Sequence, residues 1–282
     1  MNRRFGKTPG NGWRLLGIAV VLLLLAQGCG SAKPGGESRT AAPSTAQAQP
    51  ANQRFSFIVC GDPQNNYEVF DRILAAARSV DCLIIAGDLT GSGTPTEFEN
   101  FLSAVRESGV RYYCVPGNHD VASGGVDEIY SRFLGAPYQS FDHKNCHFIL
   151  LDNSDPARGF YAAQREWAKA DLANAGASKP EHVFAVCHVP PGYPYSLGSP
   201  DSEAAAREAN KHLVPVLEEG GVVGLFCGHM HIYQHDTSDG LAVTVTGGAG
   251  APLHMSPENG GYYHYVRVDI DGKRRSQTVV KI

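Results

Sequence analysis

The chain has 282 residues, 43% of them hydrophobic and 18% charged, with a formal net charge of −4. That length suits one layered α/β domain of roughly 200 to 250 residues plus additional segments, and does not by itself require two domains. The acidic balance argues against a nucleic-acid duplex as the main partner, because a phosphate backbone is gripped through clustered Lys and Arg.

At the N-terminus, residues 1 to 14 carry Arg3, Arg4, Lys7 and Arg14 and no acid, and an unbroken apolar run follows from Leu15 to Ala26. A basic stretch ahead of a run well short of the ~20 residues needed to span a bilayer predicts an export signal over 1–28 rather than a membrane-spanning helix. The segment Leu25-Ala26-Gln27-Gly28-Cys29 resembles the lipobox of bacterial lipoproteins. That resemblance implies that Cys29 becomes the lipidated first residue, so that the mature protein is exported, sits in the cell envelope and is anchored to a membrane surface. From Gly30 to about Arg54 the chain is Gly, Ser, Ala, Pro, Gln and Thr without an aliphatic cluster, which predicts a tether over 29–54. Residues 55–282 are left for one globular domain, and loss of the signal moves the net charge from −4 to −8.

Within that domain, apolar runs rich in β-branched and aromatic residues predict strands at Phe55–Cys60, Cys82–Ala86, Arg111–Val115, Cys146–Leu151, His182–Cys187 and Val222–Cys227. Helical spacing of apolar residues predicts helices between them, at Tyr67–Val80, Thr96–Gly109, Gly125–Leu134, Tyr161–Ala175 and Ser202–Glu219. Further β-forming runs lie at Leu241–Thr246, Tyr262–Ile270 and Gln277–Ile282, with a hairpin turn at Asp269-Ile270-Asp271-Gly272 joining the last two. Cys60, Cys82, Cys114, Cys146, Cys187 and Cys227 all fall in or at the end of strand-like runs, which predicts buried free thiols rather than disulfides. The alternation of strands and helices followed by a β-rich end predicts two packed sheets with helices outside.

The polar residues are placed in a telling way. Five of the first six runs end directly at Gly61-Asp62-Pro63-Gln64, Gly87-Asp88, Gly117-Asn118-His119-Asp120, His188 and Gly228-His229-Met230-His231. In layered α/β proteins the carboxyl ends of strands form the ligand crevice, so these clusters are expected to converge. Asp and His together are a ligand set for Zn, Fe or Mn, and a carboxylate can bridge two ions. Two such ions can clamp a phosphoryl group and acidify a bound water.

This ordered series resembles the calcineurin-like metallophosphoesterase family. The resemblance implies a four-layer α/β/β/α sandwich with two mixed sheets and a site for two divalent or trivalent transition-metal ions, Mn, Fe or Zn. It implies that Asp88 bridges the ions, that Asp62 and His231 belong to the first, and that Asn118, His188 and His229 belong to the second. It places His119 beside the ions, assisting the leaving group while a metal-bridged hydroxide attacks, with Asp120 orienting its ring. The family's first motif usually reads Asp-x-His, whereas Gln64 stands third here. As a neutral oxygen donor, Gln64 is expected to ligate the first ion or meet it through water, and to favour Mn or Fe over Zn. The implied activity is hydrolysis of phosphate mono- or diesters, with small molecules, phospholipids or nucleotides as the substrate classes. The alternative is a lipoprotein that binds metal or phosphate on the same scaffold without catalysis. Nothing in the sequence indicates the oligomeric state.

Overall fold

A computed structural model describes residues 53–121, 129–193, 200–238 and 241–282. The expected signal segment, Cys29 and nearly all of the expected tether lie outside the described residues, as do residues 125–128 of the helix expected at Gly125–Leu134. Among the described residues no helix is long and apolar enough to cross a membrane.

One sheet has five strands. Strand β1 (Arg54–Cys60) is central, parallel to β2 (Cys82–Ile85) and antiparallel to β10 (His264–Asp271). Strand β3 (Tyr112–Cys114) closes one edge and β11 (Arg274–Lys281) the other. Helices α1 (Tyr67–Ala77) and α2 (Pro95–Ser108) make the crossovers that keep β1, β2 and β3 parallel. The second sheet has six strands, in the order β4 (Gln139–His143), β5 (Cys146–Leu150), β6 (His182–Val186), β7 (Gly224–Cys227), β9 (Leu241–Thr246) and β8 (Tyr233–Ser238). Helix α3 (Tyr130–Leu134) precedes it. Helix α4 (Ala162–Ser178) links β5 to β6, and α5 (Pro200–Asn210) with α6 (Leu213–Glu219) links β6 to β7. Both sheets are mixed, as expected.

Strand parity explains the layering. Successive side chains on a strand point to opposite faces, and β1 spends both. Phe57 and Val59 join Phe148, Phe184, Val186 and Phe226 of the second sheet in one apolar cluster, while Ile58 and Cys60 join Phe70, Ile73, Phe98 and Phe101 beneath α1 and α2. The second sheet repeats the device, with Ile149, Val183, Ala185 and Leu225 packed against Leu172 of α4 and Leu213 and Leu217 of α6. The four layers are therefore helices, sheet, sheet, helices.

Local signals set the boundaries. Thr94 and Glu97 form a reciprocal capping box that starts α2 one residue earlier than the periodicity suggests, and Gly109 ends it in the left-handed region at φ 68°. The last hairpin pairs Asp271 with Arg274 across Gly272-Lys273, with Gly272 at φ 59°. Two strands escape the sequence reading, β4 and β8. The helix expected over Ser202–Glu219 is divided into α5 and α6 at Lys211-His212. All six described cysteines are buried and unpaired, although the Cys187 and Cys227 sulfurs lie 3.6 Å apart at the ends of β6 and β7.

His264, at the start of β10, is fully buried, donates from Nδ1 to the Tyr262 carbonyl and has no partner at Nε2. Burial pushes its pKa from the ordinary 6.5 down to about 4. The unfolded chain therefore takes up a proton before the folded one does. The stability this contributes is complete above pH 6.5 and is lost as pH falls towards 4, a difference of roughly 3 kcal/mol. His264→Phe is expected to flatten that part of the stability curve, as read by urea unfolding at stepped pH; an unchanged slope would show that folding does not lower the His264 pKa.

Candidate metal centre

The site forms where the loops leaving β1, β2, β3, β6 and β7 meet. Asp62 and Asp88 follow the neighbouring strands β1 and β2 and are tied together by Asp62 N donating to Gly87 O at 3.0 Å and Gln64 N donating to Asp88 O at 3.1 Å. Asp62, Gln64, Asp88, His229 and His231 all have positive φ, between 40° and 72°. Non-glycine residues take this conformation at a cost, and such residues gather at functional sites. Close approach explains the glycines between them. A Cβ on Gly117 would collide with the Asp88 carboxylate, and one on Gly228 would sit 2.5 Å from both Asp62 Oδ2 and Ala86 O.

The expected ligand residues are brought together in two groups. In the first, Asn118 Oδ1 lies 3.0 Å from His188 Nε2 and 2.9 Å from His229 Nδ1, these two nitrogens are 3.3 Å apart, and Asp88 Oδ1 is 3.3 Å from His188 Nε2. In the second, His231 Nε2 is 3.4 Å from Asp62 Oδ1, and the Gln64 amide nitrogen is 2.9 Å from Asp88 Oδ2 and 3.4 Å from His231 Nε2. A half-turn of that amide would put its oxygen at the same point. Asp88 touches both groups. Asp62, Asp88 and His188 in addition offer donor atoms within 4.8 Å of one another.

The histidine tautomers are set from behind. His188 Nδ1 donates to Ala86 O at 2.8 Å and His231 Nδ1 to Pro252 O at 2.7 Å, which leaves each Nε2 lone pair aimed into the cluster. Lone pairs, a carboxamide oxygen and two carboxylates thus converge with few protons between them. This donor set fits divalent cations.

The electrostatics agree. Burial alone would raise Asp88, but the His188 and His119 imidazoles, the His119 amide and the Gln64 amide hold its carboxyl below the ordinary range. Asp62 is pushed up, by burial first and also by the charge of Asp88. Burial pulls His188 and His231 down, yet the facing carboxylates and the carbonyls behind the rings more than reverse it, so both end raised. The cluster draws positive charge onto itself, a signature of functional sites.

His119 sits at the mouth, its side chain 43% exposed and its Nε2 3.9 Å from Asp88 Oδ2. Its Nδ1 donates to Gly91 O at 2.7 Å, and its backbone N–H donates to Asp88 Oδ1 at 2.9 Å. Asp120 does not hold this ring, contrary to expectation. Its carboxylate accepts from Leu89 N, Thr90 N, Thr90 Oγ1 and Gly117 N at 2.8 to 3.1 Å, knitting the loop after β2 to the loop after β3. Burial, with the charge of Asp88, raises it to about 7. The Ala86, Gly91 and Pro252 carbonyls that orient the imidazoles were not foreseen, and no side-chain signal could have pointed to them. His254 packs against His231, with ring centres 4.3 Å apart and the ring planes tilted by 33°.

Residues 55–233 match the profile of the calcineurin-like phosphoesterase family. The chain belongs to this family. Over 167 residues it is 28% identical to the 3′,5′-cyclic-nucleotide phosphodiesterase alr5338 of Nostoc sp., covering 58% of this chain and 60% of that protein. Over 179 residues it is 26% identical to the glycerophosphodiester phosphodiesterase GpdQ of Enterobacter lignolyticus, covering 59% and 61%. The chain thus matches about three-fifths of the length of these two relatives. Among solved structures, the purple acid phosphatase from yellow lupin seeds matches with a TM-score of 0.66 at 17% identity, covering 82% of this chain and 52% of that one. A dimetal phosphatase from Danio rerio matches with a TM-score of 0.57 at 16% identity, covering 81% and 99%. These two likenesses support the metallophosphoesterase-type fold.

Proposed function

We propose that the protein is a metal-dependent hydrolase of phosphate esters, with diesters its preferred class. The observation that carries this is the convergence of Asp62, Gln64, Asp88, Asn118, His188, His229 and His231 as electron-pair donors around two adjoining points, with His119 at their mouth. Family membership supports it, and the names of the two bacterial relatives favour a diester.

Gln64, Asp62 and His231 would hold one ion and Asn118, His188 and His229 another, with Asp88 shared. Bound there, the ions supply Lewis acidity that polarises the phosphoryl group and makes a water acidic enough to attack at neutral pH. His119 acts on the opposite partner of the reaction. As an imidazolium it gives its Nε2 proton to the leaving oxygen and becomes the neutral Nδ1–H tautomer, which the Gly91 carbonyl already holds. The ring need not turn over during the transfer. Asp120 keeps the two loops that carry Asp88 and Asn118 in register.

The test is to strip the protein with EDTA, restore Mn²⁺ and assay bis(4-nitrophenyl) phosphate beside 4-nitrophenyl phosphate. Faster turnover of the diester is expected; hydrolysis of neither, with ions bound, would instead make it the non-catalytic binder of metal or phosphate. His119→Asn is expected to lower kcat by about 100-fold on an alkyl diester, whose leaving oxygen needs a proton, and by much less on the nitrophenyl ester. Equal losses on both would remove the proton-donor role. We also propose that the protein is exported and anchored through a lipidated Cys29, which fatty-acid labelling of the mature protein checks.

A further inference from the structure

Beyond the donor atoms themselves, we infer that Asn153 is the positioning residue for the metal-ligand histidine His188, and that it sets the cation affinity of the site. The inference rests on the phosphoesterase reading above but concerns a residue that reading does not use.

The problem Asn153 solves is visible in the sequence. Val186 ends β6, and the chain then runs Cys187-His188-Val189-Pro190-Pro191. Two consecutive prolines offer no N–H, so nothing at 190 or 191 can donate a hydrogen bond to fix the chain beyond His188. Regular pairing with β5 has also ended, its last bond there being Leu151 N to Val186 O at 2.8 Å. Whatever orients His188 must therefore grip the backbone of 188 and 189 directly.

Asn153 does so with one carboxamide. Its Oδ1 accepts from His188 N and from Val189 N, both at 3.0 Å, and its Nδ2 donates to Val189 O at 2.8 Å. The remaining backbone group of the pair, His188 O, accepts from Gly228 N at 3.0 Å, from the corner that carries His229. The side chain of Asn153 thus stands in for the missing strand partner. It is itself held, with Nδ2 3.3 Å from Asn210 Oδ1 on α5, and is 1% exposed. With the backbone fixed in this way, His188 Nδ1 reaches Ala86 O and its Nε2 reaches Asn118 Oδ1 and Asp88 Oδ1. Loss of the carboxamide leaves two buried N–H groups without partners and Val189 O with only the weak Cys187 thiol donor at 3.5 Å. The least costly relief is a shift of 188 and 189 towards solvent, which draws Nε2 away from Asp88 and Asn118.

The test is a Mn²⁺ titration of EDTA-stripped full-length protein by isothermal calorimetry, with no substrate present. Asn153→Ala is expected to weaken Mn²⁺ binding by about 10- to 100-fold, the range for residues that orient metal ligands. Asn153→Asp keeps the acceptor for both amides but sets its second oxygen against Val189 O, and is expected to bind Mn²⁺ more tightly than the Ala variant and more weakly than the parent. Leu172→Ala, on the buried face of α4 against Gly220 ahead of β7, is expected to lower the melting temperature without changing the affinity, which separates positioning from general loosening. Should the Ala variant not fold, Asn153→Ser, too short to span both amides, takes its place. Affinity in the Ala or Ser variant within twofold of the parent would overturn the inference, as would equal weakening in the Asp variant. If the parent takes up no Mn²⁺, the phosphoesterase reading itself fails, which is a different result.

Discussion

Asp88→Asn is expected to lower the hydrolysis rate by at least about 1,000-fold, read as kcat/KM on bis(4-nitrophenyl) phosphate with Mn²⁺ supplied. The carboxylate is 1% exposed, and its two oxygens serve different neighbours: Oδ1 the His119 amide and His188, Oδ2 the Gln64 amide. Its two oxygens thus touch donor side chains of both groups. Asn keeps the shape but supplies a single neutral oxygen, so one neighbour faces an N–H where it needs a negative charge. Charge stabilisation of this kind is worth several kcal/mol in the transition state, which corresponds to three orders of magnitude or more in rate. A second readout separates this from simple misfolding. Because the variant loses the shared carboxylate, it is expected to be stabilised less than the parent by Mn²⁺, read as the rise in melting temperature from EDTA to added Mn²⁺ in each protein. A rate within tenfold of the parent would remove Asp88 from the centre of the site.

The largest expected loss of stability belongs to Phe57→Ala, at about 4 kcal/mol. Phe57 lies in the middle of β1, fully buried between the sheets, with its ring centre 5.1 Å from Phe148, 5.4 Å from Phe184 and 6.3 Å from Phe226, all at steep interplanar angles. Three of the four rings belong to the opposite sheet, so Phe57 is the point at which the first sheet engages the second. Truncation removes buried apolar area, leaves a cavity that three large rings cannot easily fill and discards the edge-to-face contacts. Urea unfolding measures the loss. A change below about 2 kcal/mol would mean that the sheets can close over the gap. Because Cys60 and Asp62 continue from β1 into the site, metal affinity is expected to fall with stability in this variant.

Much of this architecture could be read along the chain. Strands β1, β2, β6 and β7 are buried on both faces and so appear as continuous apolar runs. The hidden strands β4 and β8 lie at the edges of their sheet, where half-exposed Gln139, Ser140 and Gln234 and exposed Asp236 carry no period-2 apolar pattern. The donor residues were legible because Asp, Asn and His immediately after buried strands have few other reasons to be there. What was not legible is direction. Asp120 follows His119 in sequence, yet its carboxylate turns to Leu89, Thr90 and Gly117. The partners that fix the imidazoles are main-chain carbonyls, a group every residue possesses. Asn153 was passed over for a related reason: its grip is on backbone atoms, and an asparagine near a strand end reads first as a turn former.

The left-handed corners at Asp62, Gln64, Asp88, His229 and His231 have a consequence for anyone wishing to transplant this chemistry. Copying the seven donor side chains onto another α/β host at matching strand ends would reproduce the list and lose the arrangement, since an ordinary host leaves its strands through right-handed or extended bends. The portable unit is the set of bent strand exits with their glycine neighbours. A graft that imports those backbone segments whole has the better prospect of capturing an ion.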